Sequence, residues 1–175
     1  MTLDFEKELD QASKLSHQVE EEKHGNKQGE MGEDAGPNAT SAINDRMKAL
    51  GLNPSPSGLD MDYYRRLARS TEPAIALAGL RMELETLARN LAIGFKVDVP
   101  EHASNSRLLD ELQREGAITY TQFALARRVL SLCNQAIHGA PVTQEQADAV
   151  ITSAETLAEQ YESWLEWGFP ESKNM

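Results

Sequence analysis

Residues 119–139 of the 175-residue chain read TYTQFALARRVLSLCNQAIHG, and this stretch decides the fold class. Thr119 and Gln122 match the capping box that begins a helix. Gly139 is a glycine, the residue that commonly follows the last turn of a helix. Between them, apolar residues recur at helical spacing in two adjacent rows. The rows are Phe123, Ala126, Leu130, Cys133 and Ile137, and Leu125, Val129, Leu132 and Ala136. A helix that is apolar over so wide an arc packs on more than one neighbour, so we expect it at the centre of a helical bundle.

Helical spacing continues on the N-terminal side of this stretch. A short helix is predicted over residues 60–70, and Pro73 occupies a first helical position with Thr71 as a candidate cap. A leucine stripe then extends to Gly94, formed by Leu77, Leu80, Leu84, Leu87 and Leu91. Ser106 is predicted to cap a further short helix, which Gly116 closes. These segments pack their apolar stripes on the central helix.

On the C-terminal side, Thr143 and Gln146 form a second capping box that opens a last long helix. The outer side of that helix is acidic, which is typical of a solvated face. No segment has the alternating pattern of a strand. The sequence therefore predicts an all-α fold, an up-and-down bundle of three long and two short helices over residues 59–169, with a tail at 170–175.

Residues 1–58 are predicted to form a largely disordered, acidic N-terminal arm and linker. Residues 25–40 are rich in Gly, Asn, Glu and Gln, and residues 53–58 read NPSPSG. Near the N-terminus, four apolar residues lie near one helical face and favour a transient helix: Phe5, Leu9, Ala12 and Val19. The arm is either a protein-binding segment that folds on contact or a solvated tail, and composition favours the tail.

Composition narrows the functional classes. Apolar residues make up 40% of the chain and charged residues 26%, which is ordinary for a globular protein. No window is apolar for the roughly 18 residues of a membrane span, and residues 1–7 do not resemble a secretion signal, so we expect a cytoplasmic protein without a membrane partner. The net charge of −11 argues against strong nonspecific binding to a phosphate backbone, although a local arginine cluster remains an alternative.

The central helix also carries one polar row, formed by Arg127, Ser131, Asn134 and His138. Spacings of 4, 3 and 4 place these side chains on one face. In a purely structural interpretation, His138 caps the helix and Asn134 bonds across the bundle. In a functional interpretation, the row binds a partner or a ligand. Arg81, Glu85 and Arg89 form a second spaced set, for which surface ion pairs are favoured over an anion site.

The sequence from Cys133 to Gly139, the order of the helices and the Arg81-x-Glu83-x-Glu85 segment resemble the HEPN superfamily. The similarity is closest to HEPN-like domains attached to bacterial restriction and defence proteins, and it covers about residues 59–168. In those domains the penultimate long helix ends in Arg-Asn-x-x-x-His. His138 and Asn134 match the histidine and the asparagine, whereas Cys133 stands at the arginine position.

The resemblance implies a homodimer, because many HEPN proteins are metal-independent ribonucleases whose histidine and arginine meet at a dimer interface. His138 is then the candidate catalytic residue, and the binding or dimer face comprises Arg127, Arg128, Ser131 and Asn134. A thiol at position 133 offers one weak donor where a guanidinium offers five and a permanent charge. Loss of one preorganised donor costs about 10² to 10³ in rate.

We therefore expect a non-catalytic HEPN-like module for dimerisation and association with a partner protein or RNA, in a defence or toxin–antitoxin-type system. The alternative is a divergent ribonuclease that uses His138 with an arginine from elsewhere, such as Arg127 of a second subunit. A third hypothesis is a regulator whose N-terminal arm wraps a partner. No cofactor is expected, and the scattered histidines and single cysteine do not make a metal site.

Overall fold

The computed structural model describes residues 3–25, 45, 48, 49, 61–70 and 72–167; the side chains at 3, 4, 23–25 and 161–167 are not part of that description. It confirms the predicted all-α fold, since no strand occurs in these ranges. Six helices are described: α1 (Leu3–Gly25), α2 (Met61–Ser70), α3 (Pro73–Gly94), α4 (Asn105–Arg114), α5 (Tyr120–Ile137) and α6 (Gln144–Trp167). None of the helices described is long and apolar enough to cross a lipid bilayer.

The central position predicted for α5 is confirmed, because it packs against α1, α3, α4 and α6. Its second apolar row is fully buried, as Leu125, Val129, Leu132 and Ala136 all lie in the core. The first row lies at the edge of the core: Leu130 and Cys133 are buried, whereas Ile137 is 41% exposed. One side of α5 is thus open where α3 passes it.

The N-terminal segment differs from the prediction. Residues 3–25 were predicted to belong to a largely disordered arm, but they form α1, which packs on α5 and α6. Phe5, Leu9, Ala12 and Val19 share one face of this helix and are buried. The sequence indicated this stripe, but the polar composition of residues 1–58 as a whole favoured a transient helix in a solvated arm; the stripe is apolar enough to dock on the bundle. The remainder of the predicted arm, residues 26–58, lies almost entirely outside the described residues.

α5 runs antiparallel to both α1 and α6. Glu8 near the start of α1 meets Ser131 near the end of α5, and Glu22 meets Thr121 near the start of α5. Likewise Gln122 of α5 donates to Gln160 of α6. This up-and-down arrangement places the C-terminal end of α5 beside the N-terminal part of α1.

Most helix starts follow the predicted capping chemistry. Thr119 and Thr143 each form a complete capping box with Gln122 and Gln146. Pro73 begins α3, although Glu72 precedes it as N-cap without a side-chain cap and Thr71 is not among the described residues. The cap predicted at Ser106 is wrong, because Ser104 Oγ accepts the amide of Arg107 at 3.2 Å.

The two serines therefore provide a matched test of helix capping. We expect Ser104→Ala to lower the free energy of unfolding by about 1 kcal/mol, the typical effect of losing an N-cap. Ser106→Ala removes an exposed hydroxyl inside α4 and should change the free energy of unfolding by less than about 0.5 kcal/mol. Urea titration followed by far-UV circular dichroism measures both, and equal effects would contradict the capping assignment.

Candidate binding face

The predicted polar row of α5 is divided by α1. Arg127 and His138 are exposed, and Asn134 is half-buried at the open side of α5. Ser131, by contrast, donates a hydrogen bond of 3.1 Å to Glu8 Oε2 of α1. The row is one face of the helix, as predicted, but only three of its four residues remain accessible to a partner.

Arg128 also lies on the side of α5 that α1 occupies. Residues seven apart fall nearly on one line along a helix, so Thr121, Arg128 and Gln135 are aligned. Thr121 bonds to Glu22, and Gln135 Nε2 donates to Glu8 at 2.9 Å. The half-buried Arg128 lies between these two contacts. The predicted binding set of Arg127, Arg128, Ser131 and Asn134 is therefore split between two surfaces.

His138 is the C-cap residue of α5, with φ −86° and ψ 14°. Its backbone amide donates to the Asn134 carbonyl at 3.0 Å, and Gly139 turns the chain with φ +97°. Only glycine adopts such a φ without strain, which accounts for the sharp end of the helix. Within the described residues no hydrogen bond involves the side chain of Asn134 or His138, so the predicted Asn134 bond across the bundle is not found there.

Arg127 lies on the same polar row as His138, near the middle of α5. Its guanidinium carbon lies 5.5 Å from the centre of the Phe123 ring, a cation–π distance. Eleven residues separate Arg127 from His138, about 16 Å along a helix. Within one chain the two side chains thus belong to different parts of the open surface.

Cys133, which stands at the position of the motif arginine, is a core residue. It is 0% exposed. Burial raises the pKa of the Cys133 thiol to about 12, and the positive charge of Arg81 opposes this shift. The side chain is a neutral thiol at any physiological pH, as predicted for a small hydrophobe on the apolar row.

The influence of Arg81 on Cys133 shows which part of α3 lies beside the end of α5. Farther along, Leu84 and Ala88 of α3 line the same apolar cavity as Ala126 and Leu130 of α5. The two helices therefore run antiparallel, with Arg81 near Cys133. Leu109 and Leu112 of α4 line the same cavity.

Arg81 does not join the predicted ion-pair ladder. Arg89 Nη2 lies 3.4 Å from Glu85 Oε1, as that prediction requires, and it also donates to the Ala103 carbonyl. Arg81 has no ion pair among the described residues, and its Nε is buried without a hydrogen-bond partner. A buried donor without an acceptor is destabilising for the fold.

Exposed apolar side chains occur on both of these helices. Ile75 and Met82 of α3 are 54% and 69% exposed, and Ile137 of α5 is 41% exposed. We define the α3–α5 face as Ile75, Arg81, Met82, Asn134, Ile137 and His138. Isoleucine, methionine and arginine at the edge of a core, flanked by polar groups, have the composition of a protein interface.

From the sequence, Asn134 and His138 were placed in the polar row and Arg81 in a spaced set, but Ile137 was assigned to an apolar row and Ile75 and Met82 were not singled out. The available signal was the apolar pair Ile75 and Met82, seven residues apart and outside the leucine stripe of α3. Two large apolar residues on the outer side of an amphipathic helix indicate a second contact surface. The spacing of Ile75 and Met82 does not reveal that Arg81 lies level with Cys133, because Arg81 and Cys133 belong to different helices.

Within the described ranges, no group of three or more His, Cys, Asp or Glu side chains could hold a metal ion. Comparison with known proteins adds no assignment: no family model, no curated protein and no solved structure matches the chain.

Proposed function

We propose that this chain is a non-catalytic, HEPN-like helical module that forms a homodimer through the α3–α5 face and thereby presents a partner-binding surface. The observation that carries the proposal is the half-buried Arg81, which has no ion pair among the described residues and lies on the same two helices as the exposed Met82 and Ile137. A dimer removes these apolar side chains from water and brings carboxylates of the second copy toward the guanidinium.

The absence of catalysis follows from the position of Cys133. Phosphoryl transfer requires a preorganised cation or donor near the developing negative charge. The motif position holds a buried neutral thiol, and Arg127 lies about 16 Å from His138 along α5. His138 alone offers an exposed imidazole without the charge stabilisation that the reaction needs.

Ile137→Asp tests the dimer. We expect the substitution to weaken self-association at least about 10-fold, because a carboxylate replaces an apolar group that the interface would bury. Sedimentation equilibrium of the full-length chain measures the dissociation constant. Tyr120→Asp is the matched control, since Tyr120 is 71% exposed at the other end of α5. A monomeric wild-type chain at about 100 µM, or unchanged dimerisation of Ile137→Asp, would contradict the proposal.

The alternative is a divergent ribonuclease. One observation favours Arg81, rather than Arg127 of a second subunit, as the arginine that would act with His138. The antiparallel register of α3 and α5 places Arg81 level with Cys133, the position from which the motif arginine would extend, and its positive charge acts on the Cys133 thiol. Helical side chains lean toward the N-terminus of their helix, so Arg81 of the antiparallel α3 leans toward the His138 end of α5.

Labelled single-stranded RNA, incubated with the full-length chain in the presence of a metal chelator, separates the two functions. We expect no cleavage by the wild-type chain beyond that of a His138→Ala preparation. Cleavage that both His138→Ala and Arg81→Ala abolish would establish the ribonuclease instead. Cleavage that persists in both variants identifies a contaminating nuclease and leaves the wild-type chain without activity of its own, as proposed.

A further inference from the structure

The N-terminal half of α5 carries two aromatic rings and an arginine in direct succession. The ring centroids of Tyr120 and Phe123 lie 6.2 Å apart, with 38° between the ring planes. One turn farther along, the guanidinium carbon of Arg127 lies 5.5 Å from the centre of the Phe123 ring. Spacings of three and four residues place the three side chains on one face of the helix. We call Tyr120, Phe123 and Arg127 the stacking stripe.

The stacking stripe is open to solvent. Tyr120 is 71% exposed, the largest fraction among the exposed large apolar side chains of the described residues. Arg127 is exposed and Phe123 is half-buried. The helix α1 contacts a different side of α5, through residues such as Thr121 and Gln135. Tyrosine and arginine are among the residue types that dominate the binding energy of protein interfaces, so this surface is suited to a partner.

α5 carries positive charge without any carboxylate of its own. The chain has a net charge of −11, yet residues 120–138 contain no Asp or Glu. Arginines of α2, α3 and α4 have carboxylate partners: Arg65, Arg69, Arg89 and Arg114. Within the described ranges, neither Arg127 nor Arg128 forms an ion pair. The stacking stripe therefore complements a partner that brings carboxylates.

The contact with Phe123 holds the Arg127 guanidinium while leaving its hydrogen-bond donors for a ligand. A cation–π contact is an attraction between the charge and the ring, and it uses none of the five N–H groups. No hydrogen bond from the Arg127 side chain occurs in the described part of the chain. A guanidinium held in this way binds a carboxylate through two parallel hydrogen bonds, which are stronger than those between neutral groups.

The electrostatic surroundings differ between the two ends of the stacking stripe. Glu22 of α1 accepts a hydrogen bond from Thr121, the neighbour of Tyr120, and Glu20 and Glu21 are exposed on the same helix. These carboxylates disfavour a further negative charge at the Tyr120 end. An apolar group therefore fits the rings, and an acidic group fits Arg127. The two ends are separated by about 10 Å along the helix, which about three residues of extended peptide span.

We propose that the stacking stripe binds an acidic peptide segment of a partner protein. An aromatic or proline side chain of the segment packs on Tyr120 and Phe123, and a carboxylate about three residues away pairs with Arg127. A long polyanion such as a nucleic acid fits less well, because it would also pass the carboxylates around Glu22. The stacking stripe lies outside the α3–α5 face, so this binding requires no homodimer.

A fluorescein-labelled peptide with one tryptophan followed by a run of glutamates tests the site by fluorescence anisotropy on the full-length chain. We expect saturable binding that Arg127→Glu weakens at least about 10-fold, because repulsion replaces attraction. Tyr120→Ala should weaken binding at least about 5-fold through the loss of ring contact. Arg66→Glu is the matched control and should bind like the wild-type chain. It changes the net charge equally at an exposed position of α2, which does not pack on α5.

Absence of saturable binding to the wild-type chain would overturn the proposal. Equal weakening by Arg66→Glu and Arg127→Glu would also overturn it, because only general charge attraction would then be at work. Tighter binding of a labelled oligouridylate that Arg127→Glu abolishes would assign the stripe to nucleic acid instead. Arg127→Gln, which removes the charge without reversing it, provides the same test if Arg127→Glu loses far-UV helicity. Unchanged peptide binding by Ile137→Asp is expected, and it separates this site from the α3–α5 dimer.

Discussion

Cys133→Arg is expected to lower the free energy of unfolding by at least about 4 kcal/mol rather than to create a ribonuclease. The substitution restores the arginine of the HEPN-like pattern, but position 133 is 0% exposed in the core. An uncompensated charge buried at such a position typically costs about 3–5 kcal/mol. Arg81 beside it adds repulsion between like charges. Urea unfolding followed by far-UV circular dichroism measures the loss.

Cys133→Ala serves as the control, because it removes the thiol without adding charge and should cost about 1–2 kcal/mol through the small cavity it leaves. The opposite result would be a Cys133→Arg chain of wild-type stability that cleaves RNA in a His138-dependent manner. That result would place position 133 at the surface, contrary to the burial described, and would favour the enzymatic alternative.

The second large effect concerns the ionisation of the Cys133 thiol. Burial raises its pKa to about 12, whereas the ordinary value is 9.0. The neutral thiol is thus favoured in the folded chain, and the unfolded chain loses its proton first. The stability associated with this group is fully present below pH 9 and is lost as pH rises from about 9 to about 12, by about 1.4 kcal/mol per pH unit.

Between pH 8 and pH 10 the wild-type chain should therefore lose about 1.4 kcal/mol more stability than Cys133→Ala. The comparison cancels the titration of lysine and tyrosine, which both chains share. A thiol reagent at pH 8 provides the second measurement. We expect modification of the folded chain to be about 10³-fold slower than that of the urea-unfolded chain, since the thiolate population falls by that factor. Equal rates, or parallel pH profiles of the two chains, would show that the thiol is accessible.

The helices themselves were largely predictable, because their signals are local. Capping boxes at Thr119 and Thr143, Pro73 at a first turn and the leucine stripe of α3 each lie within a few residues of the structure they specify. The Ser106 prediction failed for an equally local reason. Both Ser104 and Ser106 precede the apolar residues of α4, and only the backbone conformation of Ser104 lets its hydroxyl reach the Arg107 amide.

The α1 helix shows the limit of composition as a guide. Its buried stripe was visible in the spacing of Phe5, Leu9 and Ala12, yet the surrounding residues are charged enough to predict a solvated arm. The helix is stabilised by the groove it occupies, since an isolated amphipathic helix gains little until its apolar face is covered. The docking surface is supplied by residues more than 100 positions away, such as Ser131.

The sequence TYTQFALARRVLSLCNQAIHG by itself determined a central helix with an apolar arc, a polar row and a sharp end at Gly139, because helical period and end signals are local. Only the tertiary structure decided what covers each part of that helix. It placed Glu8 on Ser131, left Asn134 and His138 open, and put Arg81 beside the buried Cys133. Helical period assigns residues to a face of the helix. The segment that packs on that face comes from a distant part of the chain, so it is determined by tertiary packing.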